Sequence, residues 1–302
     1  MYENPPIPRK NGAPIIGLAL GSGAARGWSH IGVIRALAEH GIHPHVVCGS
    51  SIGALVGAAY VCERIGELEE WVSGLSWHDV VSMLDLSFRG GLIRGEKVLN
   101  YYAEHFCRGE FSEIGIPFAC VATDLDSGRE IWLRDGNLAS AVRASIALPG
   151  LFSPHERAGR VLVDGGLVNP VPVSLCRALG ADVVIAVELG SGMLGLGIQP
   201  QTNKDAEAGL TRRLLNSIGL NPAEKLAESM PSFTDVLVSS INIMQMRIAR
   251  SRLAGEPADV LISPRVAQLS MMDFHRAPEA IEAGVAAVAR AHESLMLVLG
   301  RE

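Results

Sequence analysis

The sequence predicts an α/β fold in which a mostly parallel sheet carries helices on both faces. Continuous apolar runs of strand length recur at residues 14–20, 46–48, 116–124 and 182–188, and segments with helical spacing of apolar residues lie between them. Strands that are buried on both faces and alternate with helices are typical of parallel sheets. The 302 residues are 48% hydrophobic, which suits one large domain with an ample core.

Composition excludes several functional classes. The formal net charge is −6, which argues against nucleic-acid binding and against a general attraction to anionic lipid. The five cysteines form no C-x-x-C pair, so we expect reduced, buried thiols. The first residues lack the apolar segment of a signal peptide, and no apolar run reaches the about 20 residues of a membrane span. We therefore expect a cytoplasmic protein.

The first strand, residues 14–20, leads into the loop GSGAARG at residues 21–27 and then into a helix at residues 28–40. A dinucleotide site would need G-x-G-x-x-G here and an acidic residue at the end of the second strand. The third glycine is displaced to Gly27, and the second strand ends without Asp or Glu. The loop therefore gives little support for a nucleotide.

The second strand, residues 46–48, is followed by Gly49-Ser50-Ser51-Ile52-Gly53 and a buried helix at residues 52–60. This G-x-S-x-G pattern between a strand and a helix is typical of a nucleophile elbow, in which the serine hydroxyl stands above the sheet edge. Gly49 and Gly53 provide the small residues that the sharp turn needs. The alternative is a Gly/Ser-rich turn that contains a serine by chance.

The two turns are expected to meet, because the carboxyl ends of neighbouring parallel strands share one edge of a sheet. Gly21 and Gly23 allow close approach of the loop, and the amides of Gly23 and Ala24 could hold an oxyanion beside Ser51. Arg26 could shape the loop, attract an anionic head group, or be an ordinary surface arginine.

The rest of the chain continues the alternation, and we expect three parts: a loose arm at residues 1–13, a catalytic domain at 14–190 and a C-terminal extension at 191–302. Residues 191–232 are a candidate flap or a segment that makes transient membrane-surface contact, and the alternative is an ordinary linker. The remaining elements predicted are helices at 65–85, 96–106, 137–145, 173–180, 233–253 and 278–299, and strands at 129–133, 160–163 and 259–263.

A serine nucleophile needs a base, and the sequence offers two solutions. Asp164 ends a short apolar strand and precedes Gly165 and Gly166, so it could act directly on Ser51 if an apolar cleft raised its pKa. Alternatively, Asp164 caps the amides of Val168 or Asn169 as a turn residue. A Ser-His-Asp triad would use His155 or His275.

Four ordered blocks resemble the patatin-like phospholipases, specifically the bacterial branch related to neuropathy target esterase and its RssA-type proteins. The resemblance extends through residues 18–32 and 273–278 and so covers almost the whole chain. The blocks are GSGAARG at residues 21–27, GSSIG at 49–53, ASIALP at 144–149 and DGG at 164–166.

This resemblance implies a three-layer patatin-like fold, a Ser51–Asp164 dyad, no metal and no cofactor. It implies hydrolysis of lipid acyl esters of the phospholipase or lysophospholipase type. The sequence departs from the family's glycine run at Ser22 and Ala24. That departure leaves open a catalytically weak protein with a binding or regulatory role, and a conventional Ser-His-Asp esterase is the other alternative.

Overall fold

The computed structural model describes residues 13–83, 96–190 and 233–301, and within them a single eight-stranded sheet with helices on both sides. The strands are β1 (Ile16–Leu20), β2 (Val46–Ser50), β3 (Phe118–Asp124), β4 (Glu130–Leu133), β5 (His155–Arg157), β6 (Arg160–Asp164), β7 (Val183–Val187) and β8 (Val260–Ile262). The helices are α1 (Ser29–Glu39), α2 (Ile52–Val61), α3 (Ile65–Ser73), α4 (Trp77–Met83), α5 (Glu96–His105), α6 (Leu138–Ser145), α7 (Val173–Ala178), α8 (Phe233–Gly255) and α9 (Ala277–Leu299).

The predicted α/β architecture is confirmed, with local differences. The helix predicted at residues 65–85 is interrupted near Gly74 and forms α3 and α4. The short strand β5 was missed because its three residues, His-Glu-Arg, carry no apolar pattern. Most of the predicted arm and all of the candidate flap at 191–232 lie outside the described residues.

Strand pairing runs in the order β5-β6-β3-β2-β1-β7-β8, with β4 also paired to β3. Strands β3, β2, β1, β7 and β8 are mutually parallel, whereas β4, β5 and β6 join by antiparallel pairing. Because β1 and β2 are parallel neighbours, the loop after β1 and the turn after β2 lie at the same edge of the sheet. This is the arrangement that the sequence predicted for the two turns.

Strands β2 and β6 share one edge of β3 and meet end to end along it. The residues of β3 that pair with β2 end at Val121, and the residues that pair with β6 begin at Ala122. The residues of β3 that pair with β4 overlap both sets. A strand has only two pairing edges, so β4 occupies one edge, and β2 and β6 divide the other. The antiparallel direction of β6 then brings its last residue, Asp164, beside the last residue of β2, Ser50.

The two faces of the sheet are packed differently. Leu18 and Leu20 of β1 belong to the larger core, which also contains residues of α1, α2, α6 and α9. The intervening Ala19 faces the opposite side, where smaller strand residues pack against α7 and against Ala249 and Leu253 of α8. Successive side chains of a strand point to opposite faces, so this alternation produces three layers.

Helices α1 and α9 cross in close contact through one glycine on each. A Cβ atom on Gly32 of α1 would lie 1.9 Å from the carbonyl oxygen of Ile281, and one on Gly284 of α9 would lie 2.0 Å from that of Ser29. Both obstructing atoms belong to helix backbones and cannot rotate away. The crossing therefore admits no side chain at these two positions.

We predict that Gly32→Ala destabilises the protein by about 2–3 kcal/mol or more, because the added methyl separates α1 from α9. The matched control is Gly66→Ala in α3, where a Cβ meets nothing within 4 Å. This control should be neutral or stabilising by up to about 1 kcal/mol. Denaturant unfolding measures both values, and equal stability of the two variants would contradict the close crossing.

Candidate active site

Ser51 occupies a strained turn between β2 and α2. Its backbone has φ 56° and ψ −126°, a conformation that non-glycine residues rarely adopt. The neighbouring positions leave no room for side chains: a Cβ on Gly53 would lie 2.1 Å from the carbonyl oxygen of Leu20, and one on Gly49 would lie 2.5 Å from the Ala54 amide nitrogen. The N-terminus of α2 also places the positive end of a helix dipole at Ser51.

The turn is held by Ser145, a residue to which the sequence analysis gave no role. The amide of Ser51 donates a hydrogen bond of 3.0 Å to the Ser145 Oγ. Ser145 is the last residue of α6 and is fully buried. Its position inside the ASIALP block, at residues 144–149, was the available signal, but the partner of its hydroxyl is 94 residues away in the chain.

The structure brings Ser51 and Asp164 into direct contact. The Ser51 Oγ donates to the Asp164 Oδ2 at 2.5 Å, and the Gly166 amide donates to the Asp164 Oδ1 at 2.7 Å. Asp164 does cap a turn, but the alternative partners were wrong: the amides of Val168 and Asn169 donate to the Gly165 carbonyl. A Cβ on Gly165 would lie 2.1 Å from the Val121 carbonyl oxygen, so this turn must stay small.

The Asp164 carboxyl lies in a water-poor environment. Its residue is 0% exposed, and Ser51 is 9% exposed. Burial raises the pKa of Asp164 from 3.8 to about 7, although the hydrogen bonds from Ser51 and the Gly166 amide act in the opposite direction. The carboxyl therefore changes its ionisation near neutral pH and is a far stronger base than an exposed aspartate.

The glycine-rich loop leaves two amides available beside the turn. The amide of Gly21 donates to the Val187 carbonyl, and two other loop amides are similarly occupied, those of Ser22 and Ala25. Within the described part of the chain, the amides of Gly23 and Ala24 donate to no protein acceptor. Ala24 has a φ of 50°, so the departure from glycine occurs at a left-handed position that alanine nevertheless occupies.

Ser22 and Arg26 connect this loop to other elements. The Ser22 Oγ donates to the Ser50 Oγ at 3.2 Å. Arg26 is buried, and its Nε donates to the Leu269 carbonyl oxygen at 2.8 Å while an Nη atom lies 3.5 Å from the Asn242 Oδ1. Burial lowers the pKa of Arg26 to about 10, partly offset by Asp273. Of the three sequence hypotheses, this geometry favours the loop-shaping role.

His30 is, after Ser145, a second residue at the site that the sequence did not predict. It is fully buried, and its Nε2 lies 2.8 Å from the Gly21 carbonyl oxygen, which requires the ring to donate from that nitrogen. Burial lowers the pKa of His30 to about 4, so the ring is neutral at physiological pH. The imidazole thereby fixes the first peptide of the glycine-rich loop from α1.

The two histidines considered for a triad lie elsewhere. The His155 Nε2 contacts the Ser140 Oγ at 2.9 Å. The His275 ring packs edge-on against Trp77 at 5.5 Å between ring centroids. The hydrogen bonds of Ser51 and Asp164 within the described residues involve neither histidine.

A largely apolar cavity opens beside Ser51, with an empty volume of about 790 Å³ including its mouth. Apart from Ser51, the side chains with polar groups in its wall are Tyr102, Trp28 and Trp71. The Tyr102 hydroxyl donates to the Leu55 carbonyl, and the Trp28 indole N–H donates to the Phe274 carbonyl. Its wall includes Ala24, Ile52, Leu99, Leu148, Leu151 and Phe274. The cavity can therefore accommodate a long apolar group but offers little to a polar one.

Neither a cluster of metal-binding side chains nor a membrane-spanning helix occurs in the part of the chain that the structure describes. Among residues 13–83, 96–190 and 233–301, no group of three or more His, Cys, Asp or Glu side chains could hold a metal ion. In the same ranges, no helix is both long and apolar enough to cross a membrane.

Comparison with known proteins identifies relatives along most of the chain. A family model described as patatin-like phospholipase matches residues 18–177. An uncharacterized NTE family protein of Mycobacterium bovis is 34% identical over 95% of this chain and 93% of its own length. The human patatin-like phospholipase domain-containing protein 6 is 34% identical over 58% of this chain, which corresponds to 13% of that longer protein.

The fold has a solved counterpart. The crystal structure of VipD from Legionella pneumophila superimposes with a TM-score of 0.56, covering 93% of this chain and 67% of that one at 15% sequence identity. At that identity the likeness concerns the fold alone. The family match over residues 18–177 and the 34% identity over nearly the full length lead to one assignment: the chain belongs to the patatin-like phospholipase family, within its NTE-related branch.

Proposed function

We propose that the protein hydrolyses acyl esters of lipids, phospholipids or lysophospholipids, with Ser51 as nucleophile and Asp164 as its base. Family membership supports a lipid hydrolase in general. The single observation that carries the finer proposal is the 2.5 Å hydrogen bond from the Ser51 hydroxyl to a buried carboxylate. A free serine hydroxyl is a weak nucleophile, and a base at this distance is what activates it.

In the first half of the proposed reaction, the Ser51 Oγ attacks the ester carbonyl carbon while its proton passes to the Asp164 Oδ2. The collapsing tetrahedral intermediate expels the alcohol, which takes the proton from Asp164, and an acyl-serine remains. In the second half, water gives a proton to Asp164 and attacks the acyl carbonyl. Collapse then releases the fatty acid, and the proton returns to the Ser51 Oγ.

The amides of Gly23 and Ala24 are proposed to stabilise the oxyanion of both intermediates. They are the loop amides without a protein acceptor among the described residues, and Ala24 also lines the cavity beside Ser51. Removing one such donor typically costs about 3 kcal/mol of transition-state stabilisation. The carbonyl of Gly21 is held by His30, and this keeps the loop in one conformation before substrate arrives.

The apolar cavity is proposed to hold the acyl chain of the substrate. Its wall is hydrocarbon almost throughout, and Ser51 stands at one side of it. An acyl chain placed there would bring its ester carbonyl toward Ser51 while burying apolar surface. A transient contact with a membrane surface, from which such a lipid would be drawn, stays a prediction from the sequence.

The alternatives fit the geometry less well. A Ser-His-Asp esterase needs a histidine between serine and aspartate, but here the carboxylate contacts the serine directly. A non-catalytic role was suggested by Ser22 and Ala24. The Ser22 amide donates to the Pro170 carbonyl, so Ser22 is not one of the proposed oxyanion donors and its side chain does not replace one. Ala24 adopts the left-handed backbone conformation although it is not a glycine.

We predict that a fluorophosphonate probe labels the wild-type protein at Ser51. Ser51→Ala should abolish labelling and ester hydrolysis, and Asp164→Asn should lower hydrolysis by about 10³-fold or more, because it removes the base. Mass spectrometry of the labelled peptide identifies the serine.

Ser50→Ala serves as the adjacent-serine control and should still be labelled, as should His155→Gln and His275→Gln. Wild-type turnover in both Ser51→Ala and Asp164→Asn would refute the dyad. Loss of labelling in a folded histidine variant would favour the triad.

We predict that Asp164→Asn stabilises the fold above pH 7. The pKa of Asp164 is raised to about 7 in the folded protein, so the folded state binds this proton more tightly than the unfolded chain does. Its contribution to stability is therefore full below about pH 4, declines as pH rises to about 7 and is lost above. Asparagine cannot ionise and should gain up to about 4 kcal/mol over wild type at pH 8.

Thermal unfolding between pH 4 and pH 8 measures this difference, which should shrink toward acid pH. Asp124→Asn is the control of opposite sign, because hydrogen bonds, chiefly from the Ser127 amide, lower the pKa of Asp124. A stability gap between Asp164→Asn and wild type that does not depend on pH would contradict the raised pKa.

We predict that Leu151→Trp changes the preference for acyl-chain length. Leu151 is buried in the cavity wall, and the larger indole would fill space that a long chain needs. Hydrolysis of long-chain nitrophenyl esters should fall about ten-fold relative to that of acetate or butyrate esters. Leu125→Trp, at a position that is 53% exposed, should leave this ratio unchanged. An equal loss for both chain lengths would argue against an acyl site in this cavity.

A further inference from the structure

Gln245 of α8 contacts the carboxylate that the proposed reaction uses. We propose that Gln245 is a positioning residue that keeps Asp164 oriented toward Ser51 and favours its ionised form. The inference rests on the proposed function for its catalytic meaning, but the effect on Asp164 itself can be measured without turnover. The residue lies well outside the part of the chain that the family model matches, which ends at residue 177.

The contact is made by a buried amide. Gln245 is 5% exposed, and its Nε2 lies 3.5 Å from the Asp164 Oδ1, the oxygen that does not accept from Ser51. The Gly166 amide donates to the same Oδ1 at 2.7 Å. The two donors together hold one carboxylate oxygen, so the other oxygen is directed at the Ser51 hydroxyl.

The fold makes room for this side chain. A Cβ on Gly166 would lie 2.6 Å from the Gln245 Nε2 and 2.6 Å from the Ser22 Oγ. The glycine of the DGG block therefore leaves the space in which α8 and the glycine-rich loop approach Asp164. A larger residue there would displace both polar groups from the neighbourhood of the carboxylate.

An amide suits this position for electrostatic reasons. A hydrogen-bond donor to the ionised carboxylate favours that form and opposes the effect of burial on the pKa of Asp164. An ammonium group in the same place would lower the pKa of Asp164 much further and weaken the base. An apolar side chain would leave only the Ser51 hydroxyl and the Gly166 amide to oppose the effect of burial. Gln245 is thus proposed to add a third donor to the hydrogen bonds from Ser51 and the Gly166 amide, which already favour the ionised form of this buried carboxyl.

Gln245 also lies between Asp164 and a small cavity behind the glycine-rich loop. That cavity is lined by Gln245 together with Ser22, Arg26, Asn242 and other residues, whereas Asp164 is not in its wall. The side chain therefore separates the carboxylate from this small cavity. Replacing it by a residue of similar length keeps this cover and removes only the donor.

The test compares Gln245→Met with wild type by two measurements across pH 5 to 9. One is the rate at which a fluorophosphonate labels Ser51. The other is the titration of the Asp164 carboxyl by NMR of protein labelled with ¹³C at aspartate Cγ, its resonance assigned by loss in Asp164→Asn. Leu253→Ala is the control, because Leu253 packs on the same helix among apolar residues away from the carboxylate.

We expect both midpoints to rise by about half a pH unit or more in Gln245→Met, because the ionised carboxylate loses a donor. Starting from a pKa of about 7, such a rise lowers the labelling rate at pH 7 about two-fold and leaves it unchanged at pH 9. Leu253→Ala should lower thermal stability without moving either midpoint.

An unshifted NMR midpoint in folded Gln245→Met, or an equal shift in Leu253→Ala, overturns the inference. If wild type is not labelled at Ser51 but the NMR midpoint moves as expected, the hydrolase proposal fails and the role of Gln245 stands. If Gln245→Met does not fold, the same two measurements on Gln245→Asn test the inference. Its amide is one methylene too short for the contact, so its midpoint must rise, and an unmoved midpoint again overturns the inference.

Discussion

The site depends on the end-to-end meeting of β2 and β6 along one edge of β3. Ser51 and Asp164 are 113 residues apart in the chain. The last residue of β2, Ser50, pairs with Val121 of β3, and the last residue of β6, Asp164, pairs with the next residue, Ala122, so the two strand ends lie side by side. Two hydrogen bonds to its backbone hold the end of β6 in place: the Asp164 amide donates to the Ala147 carbonyl, and the Thr123 hydroxyl donates to the Asp164 carbonyl. Strand pairing in the sheet therefore brings the turn that carries Ser51 next to the carboxylate of Asp164.

This arrangement concentrates unfavourable local features, and each is offset by a specific partner. Ser51 and Ala24 both adopt positive φ values, a kind of strain that costs about 1–3 kcal/mol per residue. The Ser51 amide is held by the Ser145 hydroxyl, and the amide that follows Ala24 is held by the Met271 carbonyl. The buried Asp164 carboxyl adds a desolvation cost, which the Ser51 hydroxyl and the Gly166 amide reduce.

Residues of the C-terminal third contact the same site, although the match to the family model ends at residue 177. Strand β8 extends the parallel sheet beside β7, and α9 crosses α1 through Gly32 and Gly284. The segment between β8 and α9 accepts hydrogen bonds from Arg26 and from the Ala25 amide. The glycine-rich loop is thus supported from both ends of the chain, so changes far from residues 21–53 can alter its geometry.

The sequence by itself determined the alternation of strands and helices, the elbow around Ser51 and the position of Asp164 at the end of a strand. These follow from local physics, because apolar runs, turn glycines and the space that a sharp turn needs are properties of neighbouring residues. Only the tertiary structure decided that β6 runs antiparallel against β3, that Arg26 is buried, and that Ser145, His30 and Gln245 contact Ser51, Gly21 and Asp164 respectively. Strand pairing and desolvation join residues that are far apart in the chain, and no local pattern records them.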